Sequence, residues 1–322
     1  MPTTRAERRT TQALERARRH RLARGLAEPH DGVVTRRMLL EAGLTRGQIA
    51  TEVDHGAWSR AGAHTLCITS DVPTGRALWW WAVWESGTHS VLDGATALLA
   101  AGLQHWDEPV IHVAVPNNAT VRRLEGVRHH RLRDLGPDTT SGLRRTPSDV
   151  AVVRAARWAR TDRQAATVVA MTVQQRLVTP DALLVRWRQT RKGSAASVLD
   201  DVVRDVCDGA HSLNELDFAA ECRRRGLPEP TRQAVRTGRN GRVYLDVFWE
   251  ELGVHVEIHG AQHFQGTAGL DDALRHNDLQ LRDRSMVSLQ IPVLGLRTTP
   301  EPFFAQVEQA LRAAHARRRH TG

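Results

Sequence analysis

The residues with the clearest potential for chemistry lie on two short stretches near the C-terminal end of the chain. RVYLDVFW, residues 242–249, and VHVEIHG, residues 254–260, both alternate apolar and polar side chains, which is typical of β-strands. One face of these two predicted strands carries Tyr244, Asp246, Phe248, His255, Glu257 and His259. The alternation therefore predicts a hairpin that presents one carboxylate from each strand on the same face.

The loop between the strands sets their register. EELG, residues 250–253, fits a four-residue hairpin turn. If these residues form the loop, Trp249 pairs with Val254, and Asp246 lies directly opposite Glu257 with Cβ atoms about 5 Å apart. Like charges in this arrangement destabilise a sheet, and the partly apolar neighbours increase the cost.

A divalent cation between Asp246 and Glu257 would remove this repulsion, because carboxylate oxygens are ligands that suit Mg²⁺ or Mn²⁺. Such a metal polarises a phosphate and helps to generate a hydroxide nucleophile. His259, on the same face, then fits a general base or a holder of the attacking water, and His263 fits a group that acts on the leaving group. The alternative is a solvated face on which strand twist or Arg partners separate the carboxylates.

An acidic residue upstream, Glu215, has two interpretations. SLNE, residues 212–215, has the pattern of a capping box, in which Glu215 reaches back to the amide of Ser212. This box would open an amphipathic helix that runs to about Arg225. In the other interpretation Glu215 belongs to the acidic site.

Two short predicted helices near the N-terminal end favour DNA binding. Thr35 can cap a helix over 36–42, and Thr45 can cap a second helix over 46–55. A small β wing over 58–68 completes a helix-turn-helix candidate, in which the first residues of the second helix face base edges. The predicted DNA-binding residues are Arg36, Arg37, Thr45, Arg46, Gln48 and Arg60. The alternative is a helical hairpin that binds nothing.

The composition is basic. The chain has 322 residues, with 45 Lys and Arg against 36 Asp and Glu, and Lys192 is its only lysine. This balance favours a polyanionic partner such as nucleic acid, although an Arg-rich solvated surface would give the same charge. Residues 1–30 form a predicted basic helix, either an arm that contacts phosphates or a solvated helix.

The cysteines and the apolar segments bear on location. The three cysteines are Cys67, Cys207 and Cys222, and none forms a CxxC pair, which argues against a disulfide framework or a structural zinc site. The apolar run at 77–84 is far shorter than the ~20 residues that span a bilayer. No apolar stretch follows the basic N-terminus as it would in a signal peptide. We expect a cytoplasmic protein with no membrane partner.

The N-terminal pattern resembles a known family. GVVTRRMLLEAGLTRGQIATEVDHGAWSR, residues 32–60, is similar to the winged-helix domain of AbiEi-type antitoxins. The resemblance implies binding to DNA. The sequence departs from the family at the wing, where AGAHTLCI, residues 61–68, replaces a glycine followed by a β-branched residue and a tyrosine.

The C-terminal pattern resembles the PD-(D/E)xK nuclease superfamily, in which an Asp on one strand precedes a Glu-x-basic motif on the next. The closer likeness is to an uncharacterised bacterial family related to very-short-patch-repair endonucleases. The matching stretches are 212–233, 245–263 and 276–283, followed by the strand-like IPVLGLR at 291–297.

This second resemblance implies roles for individual residues. Asp246 would be the central metal ligand, Glu257 the second carboxylate, Glu215 the upstream helical acid, His259 and His263 the acid/base pair, and Asp278 a further acid. The related family usually has Glu-x-Asp-Gly where this chain has Glu257-Ile-His259-Gly260, and the His-Gly pair is similar to the repair endonucleases themselves. Since the superfamily lysine is absent, His259 would take its place.

These patterns together predict a multidomain protein of the α+β or α/β class. The expected parts are a basic arm at 1–30, a winged helix-turn-helix at 31–70, a mixed α/β region at 71–190 and, beyond a joint at 189–197, an endonuclease-like domain at 198–318. The endonuclease-like domain would have a central mixed sheet flanked by helices.

Two functions are compatible with this organisation. The first is a Mg²⁺- or Mn²⁺-dependent DNA endonuclease, cutting one or both strands, that the winged helix delivers to DNA. The second is a DNA-binding transcriptional regulator or antitoxin-like protein whose nuclease domain is degenerate. RNA is an alternative substrate for the first function. A homodimer and an unidentified toxin or repair partner also fit a winged-helix protein, although no coiled-coil heptad supports a dimer.

Overall fold

The protein is a mixed α/β structure. The computed structural model describes residues 5–69, 71–139, 142–190, 197–207, 216–237, 243–260, 270, 273–274, 276–277, 281 and 287–321. Within these residues the chain forms 12 α-helices and three small sheets, which agrees with the expected mixed class. Two compact units divide the chain: an N-terminal unit (Met1–Ala100 and Glu108–Pro147) and a C-terminal unit (Ala101–Asp107 and Ser148–Gly322).

The N-terminal unit begins with a long helix followed by two short helices and a small sheet. These elements are α1 (Arg5–Ala27), β1 (Val33–Thr35), α2 (Arg36–Glu41), α3 (Arg46–Asp54), β2 (Ser59–Arg60) and β3 (Thr65–Cys67). The three strands form an antiparallel sheet in the order β1-β3-β2. Its apolar core includes Val34, Leu39, Ile49, Trp58 and Leu66, all buried.

The predicted caps of the two short helices are confirmed. Thr35 Oγ1 accepts a hydrogen bond from the amide of Met38 at 3.1 Å, and Thr45 Oγ1 accepts one from the amide of Gln48 at 3.2 Å. Each threonine thereby satisfies an amide that would otherwise lack a partner in the first helical turn. The helices therefore begin where the sequence indicated.

The rest of the N-terminal unit packs helices against a second sheet. Its elements are α4 (Ala77–Ser86), β4 (Val91–Leu92), α5 (Gly94–Ala100), β5 (Ile111–Pro116) and β6 (Val127–Leu132). β4 runs antiparallel to β5, and β6 runs parallel to β5 at the edge of the sheet.

The C-terminal unit combines a helical group with a four-stranded sheet. Its helices are α6 (Ser148–Trp158), α7 (Asp162–Gln174), α8 (Pro180–Thr190), α9 (Val198–Cys207), α10 (Phe218–Arg224), α11 (Val293–Thr298) and α12 (Pro300–Thr321). Its strands are β7 (Arg232–Thr237), β8 (Val243–Trp249), β9 (Val254–His259) and β10 (Val287–Pro292). The sheet order is β10-β9-β8-β7, in which only β10 and β9 are parallel.

Contacts through α11 explain why the helices over 148–190 group with this sheet. α11 follows β10 directly and packs against α7 and α9. Arg297 of α11 also forms an ion pair with the buried Asp205 of α9 at 3.0 Å. The grouping differs from the sequence-based boundary at 189–197, since the contacts of α6–α8 place them in the C-terminal unit.

One face of the four-stranded sheet is apolar and holds it on α12. The buried side chains on this face are Leu245, Val247, Trp249, Val254, Val256, Ile258, Val287, Leu289 and Ile291. Buried residues of α12 include Phe303, Val307, Ala310 and Leu311. Because alternate residues of a strand point to opposite faces, this packing turns Asp246, Glu257 and their neighbours to the other side.

Two predictions about element boundaries are wrong. The helix expected from Ser212 to about Arg225 is not continuous, because residues 216–217 are non-helical; the predicted capping box at 212–215 lies outside the described residues. Helix α10 begins at Phe218, where the carboxylate of Asp217 caps it by accepting a hydrogen bond from the Ala220 amide at 2.8 Å. The strand-like 291–297 is a strand only to Pro292, after which helix α11 begins. Proline has no backbone N–H, so Pro292 cannot donate a hydrogen bond to a neighbouring strand, which favours the end of β10 at this residue.

No helix among the described residues combines the length and the apolar character needed to cross a membrane.

Candidate active site and nucleic-acid interface

The predicted register of the acidic hairpin, residues 243–259, is confirmed. Trp249 pairs with Val254, and Asp246 lies directly opposite Glu257. A short 3₁₀ turn at Glu250–Leu252 and Gly253, whose φ of 63° is left-handed, close the loop. Glycine adopts this conformation without the steric penalty of a side chain, which explains why the turn ends there.

The two carboxylates lie in the interior of the sheet. β7 flanks β8 on one side and β10 flanks β9 on the other, so neither acidic strand is an edge. Only 8% of the Asp246 side chain and 19% of the Glu257 side chain are exposed. Two directly opposed carboxylates with this little solvent repel each other strongly unless a positive or hydrogen-bonding group lies beside them.

His255 is one such group, and the sequence reasoning missed its role. Its Nε2 lies 3.1 Å from Oδ1 of Asp246, and its Nδ1 lies 3.0 Å from Oγ of Ser288 on β10. The Phe248 ring stacks on the imidazole with the centroids 4.4 Å apart. His255 is the diagonal neighbour of Asp246 across the strand pair, a distance that a long side chain can bridge. The same register that placed Asp246 opposite Glu257 could have revealed this diagonal contact.

His259 lies beside the other carboxylate. Its Nε2 is 3.8 Å from Oε2 of Glu257, and its ring meets the edge of the opposing Tyr244 ring with the centroids 5.2 Å apart. The structure therefore places the four residues Asp246, Glu257, His255 and His259 on one face of adjacent strands. This arrangement can hold a cation through oxygen ligands or accept and donate protons at the imidazoles.

The carboxylate pair fits a hard cation in the type of its donors. Mg²⁺ is commonly held by one or two carboxylates, with water and substrate phosphate supplying the remaining ligands. No group of three or more His, Cys, Asp or Glu side chains with metal-binding geometry occurs within the described ranges. Three predicted members of the site, Glu215, His263 and Asp278, lie outside those ranges.

Asn277, within one of the resembling stretches, has a different role from the acids. Its side-chain amide donates to the Gln290 carbonyl at 2.9 Å, and its Oδ1 accepts from the Gln290 amide at 2.7 Å. It also donates to Oε1 of Gln306 on α12 at 2.9 Å. Asn277 thereby provides hydrogen-bond partners for backbone groups on the outer edge of β10, the strand that carries Ser288.

The second candidate site is the exposed surface of α3 in the N-terminal unit. Arg46 is exposed at the first position of the helix. Gln48 forms the second half of a capping box, in which its Oε1 accepts a hydrogen bond from the Thr45 amide at 2.9 Å. A bidentate contact with adenine needs both Oε1 and Nε2, so Gln48 would have to leave the capping box to make one. Arg46 is therefore the stronger candidate for reading a base edge.

The remaining predicted DNA-binding residues have distinct surroundings. Arg37 is exposed and pairs with Glu41 one helical turn away at 2.6 Å. Arg36, whose amide donates to the His64 carbonyl at 2.8 Å, is half-buried, and Arg60 is exposed on β2. Arg37 and Arg60 are thus accessible for phosphate contacts.

A buried carboxylate holds α1 against α3. The Glu52 side chain is fully buried and accepts hydrogen bonds from Arg16 at 3.0 Å, Arg19 at 2.9 Å and His20 at 2.9 Å. Burial by itself raises the pKa of Glu52, but the bonds from His20, Arg19 and Arg16 together lower it below its ordinary value. Two arginines of the predicted basic arm therefore anchor the arm to α3.

A second carboxylate holds the turn between β2 and β3. Glu85 of α4 accepts hydrogen bonds from the amides of Ala63 at 2.9 Å and of His64 and Thr65 at 2.8 Å, and from the Thr65 hydroxyl at 2.8 Å. Consecutive amides of this kind form a concave anion-binding site, which the Glu85 carboxylate occupies. The tip of the predicted wing is therefore tied to α4.

Comparison with known proteins adds no family to these observations: no protein-family model matches the chain, and no curated protein matches it significantly.

Proposed function

We propose that this chain is a Mg²⁺- or Mn²⁺-dependent DNA endonuclease whose site is the polar face of the acidic hairpin. The observation that carries the proposal is the direct opposition of Asp246 and Glu257 in the interior of the sheet, with little exposure to solvent. Such a pair is costly to a fold, and a bound divalent cation offsets the cost. The resemblance to the PD-(D/E)xK superfamily supports it, and a mixed sheet with helices before and after it is compatible with the fold that this resemblance implies.

In this proposal Asp246 and Glu257 hold the cation, which supplies Lewis-acid polarisation of the phosphodiester when it is bound. His259 accepts a proton from the attacking water at its imidazole, the role that the superfamily lysine has elsewhere. Hydrolysis breaks the bond between phosphorus and the 3′ oxygen, which takes up a proton, and leaves a 5′-phosphate as the resemblance implies. His263, the proposed donor of that proton, lies outside the described residues.

Delivery to DNA is the proposed role of the N-terminal unit. An exposed Arg46 at the start of α3 has the position from which a recognition helix contacts bases, and Arg37 and Arg60 are accessible to phosphates. The resemblance of residues 32–60 to antitoxin winged helices supports this role, as does the formal net charge of +9.

The proposal is tested by cleavage of supercoiled plasmid in Mg²⁺ and then in Mn²⁺. Wild type should nick or linearise the plasmid, and Asp246→Asn should reduce the rate at least about 100-fold while DNA binding is retained, because it removes a metal ligand. Glu250→Gln, which neutralises an exposed acid in the turn of the same hairpin, is the matched control and should cut like wild type. Equal cleavage by Asp246→Asn and wild type would show that the site is elsewhere.

One observation favours the second candidate, a non-catalytic DNA-binding regulator. His255 and His259 lie beside Asp246 and Glu257, so the sheet itself offers each carboxylate a partner that could stabilise it without a cation. A regulator of this kind would bind one operator sequence with salt-dependent affinity and leave plasmid intact in either metal. Replacing the plasmid with RNA in the same assay tests the remaining alternative, a nuclease that acts on RNA.

A further inference from the structure

His255 is held in one orientation from three sides. The Phe248 ring stacks on it at an interplanar angle of 15°, Ser288 Oγ lies 3.0 Å from Nδ1, and Asp246 Oδ1 lies 3.1 Å from Nε2. Its side chain is 16% exposed. These contacts come from the two strands that flank β9, Phe248 and Asp246 from β8 and Ser288 from β10, and converge on a single imidazole.

The partners determine which ring nitrogen carries the proton. A carboxylate that holds a cation is ionised and can only accept, so in the proposed site Nε2 of His255 donates to Asp246. In a neutral imidazole the other nitrogen is then an acceptor, and the Ser288 hydroxyl donates to Nδ1. Ser288, His255 and Asp246 therefore form one directed chain of hydrogen bonds that ends on the carboxylate.

A chain of this kind orients the carboxylate. A carboxylate that accepts a fixed N–H at one oxygen loses its freedom to rotate, so the direction of its second oxygen is also defined. Groups that bond to a metal ligand in this way affect metal affinity and activity by about 10–100-fold in other sites. Asp246 lies opposite Glu257, so its orientation decides whether both carboxylates can point oxygens at one cation.

We propose that His255 is a positioning residue for Asp246, with Ser288 selecting its tautomer. The inference rests on the proposed function only in taking Asp246 as a ligand of a divalent cation. His255 acts through Asp246 and contacts neither the cation nor the phosphate. The Asp246–His255–Ser288 arrangement is distinct from the acid/base role proposed for His259 and His263.

The variants are chosen to separate hydrogen bonding from packing. His255→Gln keeps a side-chain N–H donor near the position of Nε2, whereas His255→Leu keeps comparable bulk and loses the donor. Ser288→Ala removes only the hydroxyl that bonds to Nδ1. The control is His129→Leu, which removes a half-buried histidine from a strand of the N-terminal unit. It shows whether replacing any strand histidine by leucine affects the measurement.

Binding of Mn²⁺ alone, followed by electron paramagnetic resonance in the absence of DNA, is the first measurement. His255→Leu should weaken Mn²⁺ binding by about 10–100-fold, and His255→Gln should restore most of the loss. His129→Leu should bind like wild type. Unchanged binding by His255→Leu, or equal losses in the Leu and Gln variants with their folds intact, would overturn the proposal.

The tautomer of His255 is the second measurement and needs no metal. Long-range ¹H–¹⁵N spectra of histidine-labelled protein at mildly alkaline pH should show His255 protonated at Nε2, and Ser288→Ala should reduce the population of that tautomer. This dependence tests the hydrogen-bond chain itself, and the Mn²⁺ losses test whether the chain acts on Asp246. Protonation at Nδ1 would overturn the inference whether or not the protein cuts DNA.

The two results separate this inference from the proposed function. If the tautomer and the Mn²⁺ losses are as expected but wild type leaves plasmid intact, His255 positions Asp246 in a metal-binding protein that is not a nuclease. If wild type cuts plasmid and Asp246→Asn does not, but His255→Leu binds Mn²⁺ normally, the nuclease stands and the positioning role fails. Absence of Mn²⁺ binding by wild type would overturn the inference together with the metal site.

Discussion

Buried carboxylates are the most informative single residues in this chain, because each one needs a partner that offsets its desolvation. Asp246 has His255 beside it, Glu85 has three backbone amides and a hydroxyl, and Glu52 has two arginines and a histidine. Glu52 is balanced by positively charged side chains and Glu85 by N–H and O–H donors, so each already has partners within the fold. This indicates structural roles for both. Asp246 differs because a second carboxylate, Glu257, lies directly opposite it.

Glu52 provides a prediction about stability and pH. Glu52→Gln should destabilise the N-terminal unit by about 1–3 kcal/mol near neutral pH, since it removes charge-assisted hydrogen bonds from a buried group. The pKa of Glu52 is lowered in the folded protein, so its ionised form stabilises the fold above the ordinary glutamate pKa of about 4.3. That contribution is lost as the pH falls through the folded pKa, so variant and wild type should converge in acid.

Hydrogen exchange of the α1 and α3 amides measures this effect. Glu41→Gln is the matched control, because Glu41 pairs with Arg37 on the exposed surface of α2, where solvent screens the pair and its loss should change stability little. If the two variants lose equal protection, or if the Glu52→Gln deficit persists in acid, the buried ion cluster is not what holds α1 on α3.

At the scale of elements, alanine substitutions at two glycines should have opposite effects on stability. Gly62 lies in the turn that Glu85 holds, and a methyl group there would overlap the Glu85 carboxylate. Gly25 lies in helix α1, and a methyl group there would meet no atom within 4 Å. The same substitution therefore tests whether the turn is clamped.

Gly62→Ala should destabilise the N-terminal unit by about 2–3 kcal/mol, because it displaces Glu85 and leaves backbone donors unsatisfied. Gly25→Ala should stabilise the unit by about 0.5–1 kcal/mol, since alanine loses less backbone entropy in a helix. Calorimetry gives both changes, and hydrogen exchange at 63–65 locates the first. A neutral Gly62→Ala would mean that the turn moves away from α4 without cost.

At the scale of the whole molecule, two compact units carry different proposed tasks. The N-terminal unit offers an exposed basic helix start, and the C-terminal unit offers the acidic pair. A basic protein that neutralises phosphates releases counterions, so its DNA affinity falls steeply as salt rises. In the proposed DNA complex, arginines that contact phosphates give the salt dependence of binding, and arginines that contact bases give the sequence preference. Substituting single arginines therefore separates the two properties.

Arg46→Ala should weaken binding to the preferred sequence by about 5–150-fold and relax the preference, because a base contact is worth about 1–3 kcal/mol. Arg37→Ala should weaken binding to all sequences alike and lower the salt slope by about one, as expected for a phosphate contact. Binding titrations on preferred and random duplexes at several salt concentrations distinguish the two. If Arg46→Ala leaves the preference intact, α3 is not a recognition helix.

The parts of this structure that could be predicted from sequence are those that depend on near neighbours. Thr35 and Thr45 cap their helices through amides three residues away. The alternation of apolar residues and a four-residue loop together placed Asp246 opposite Glu257. Local hydrogen bonds, side-chain period and loop length determine these features, and all three can be read along the chain.

Other features depended on packing between distant segments. Ser288 contacts His255, 33 residues earlier in the chain, because β10 pairs in parallel with β9. Glu85 of α4 binds amides of the β2–β3 turn that lie 20 to 22 residues before it. The start of α10 at Phe218 and the change from strand to helix after Pro292 were also mispredicted, because the SLNE pattern before α10 and the apolar residues after Pro292 favoured a longer helix and a longer strand. The sequence by itself determined the carboxylate pair, since its register follows from local geometry. Only the tertiary structure decided which side chains surround that pair. Ser288, for example, lies beside His255 because two distant strands pack together, and no pattern among neighbouring residues indicates which distant strands will pair.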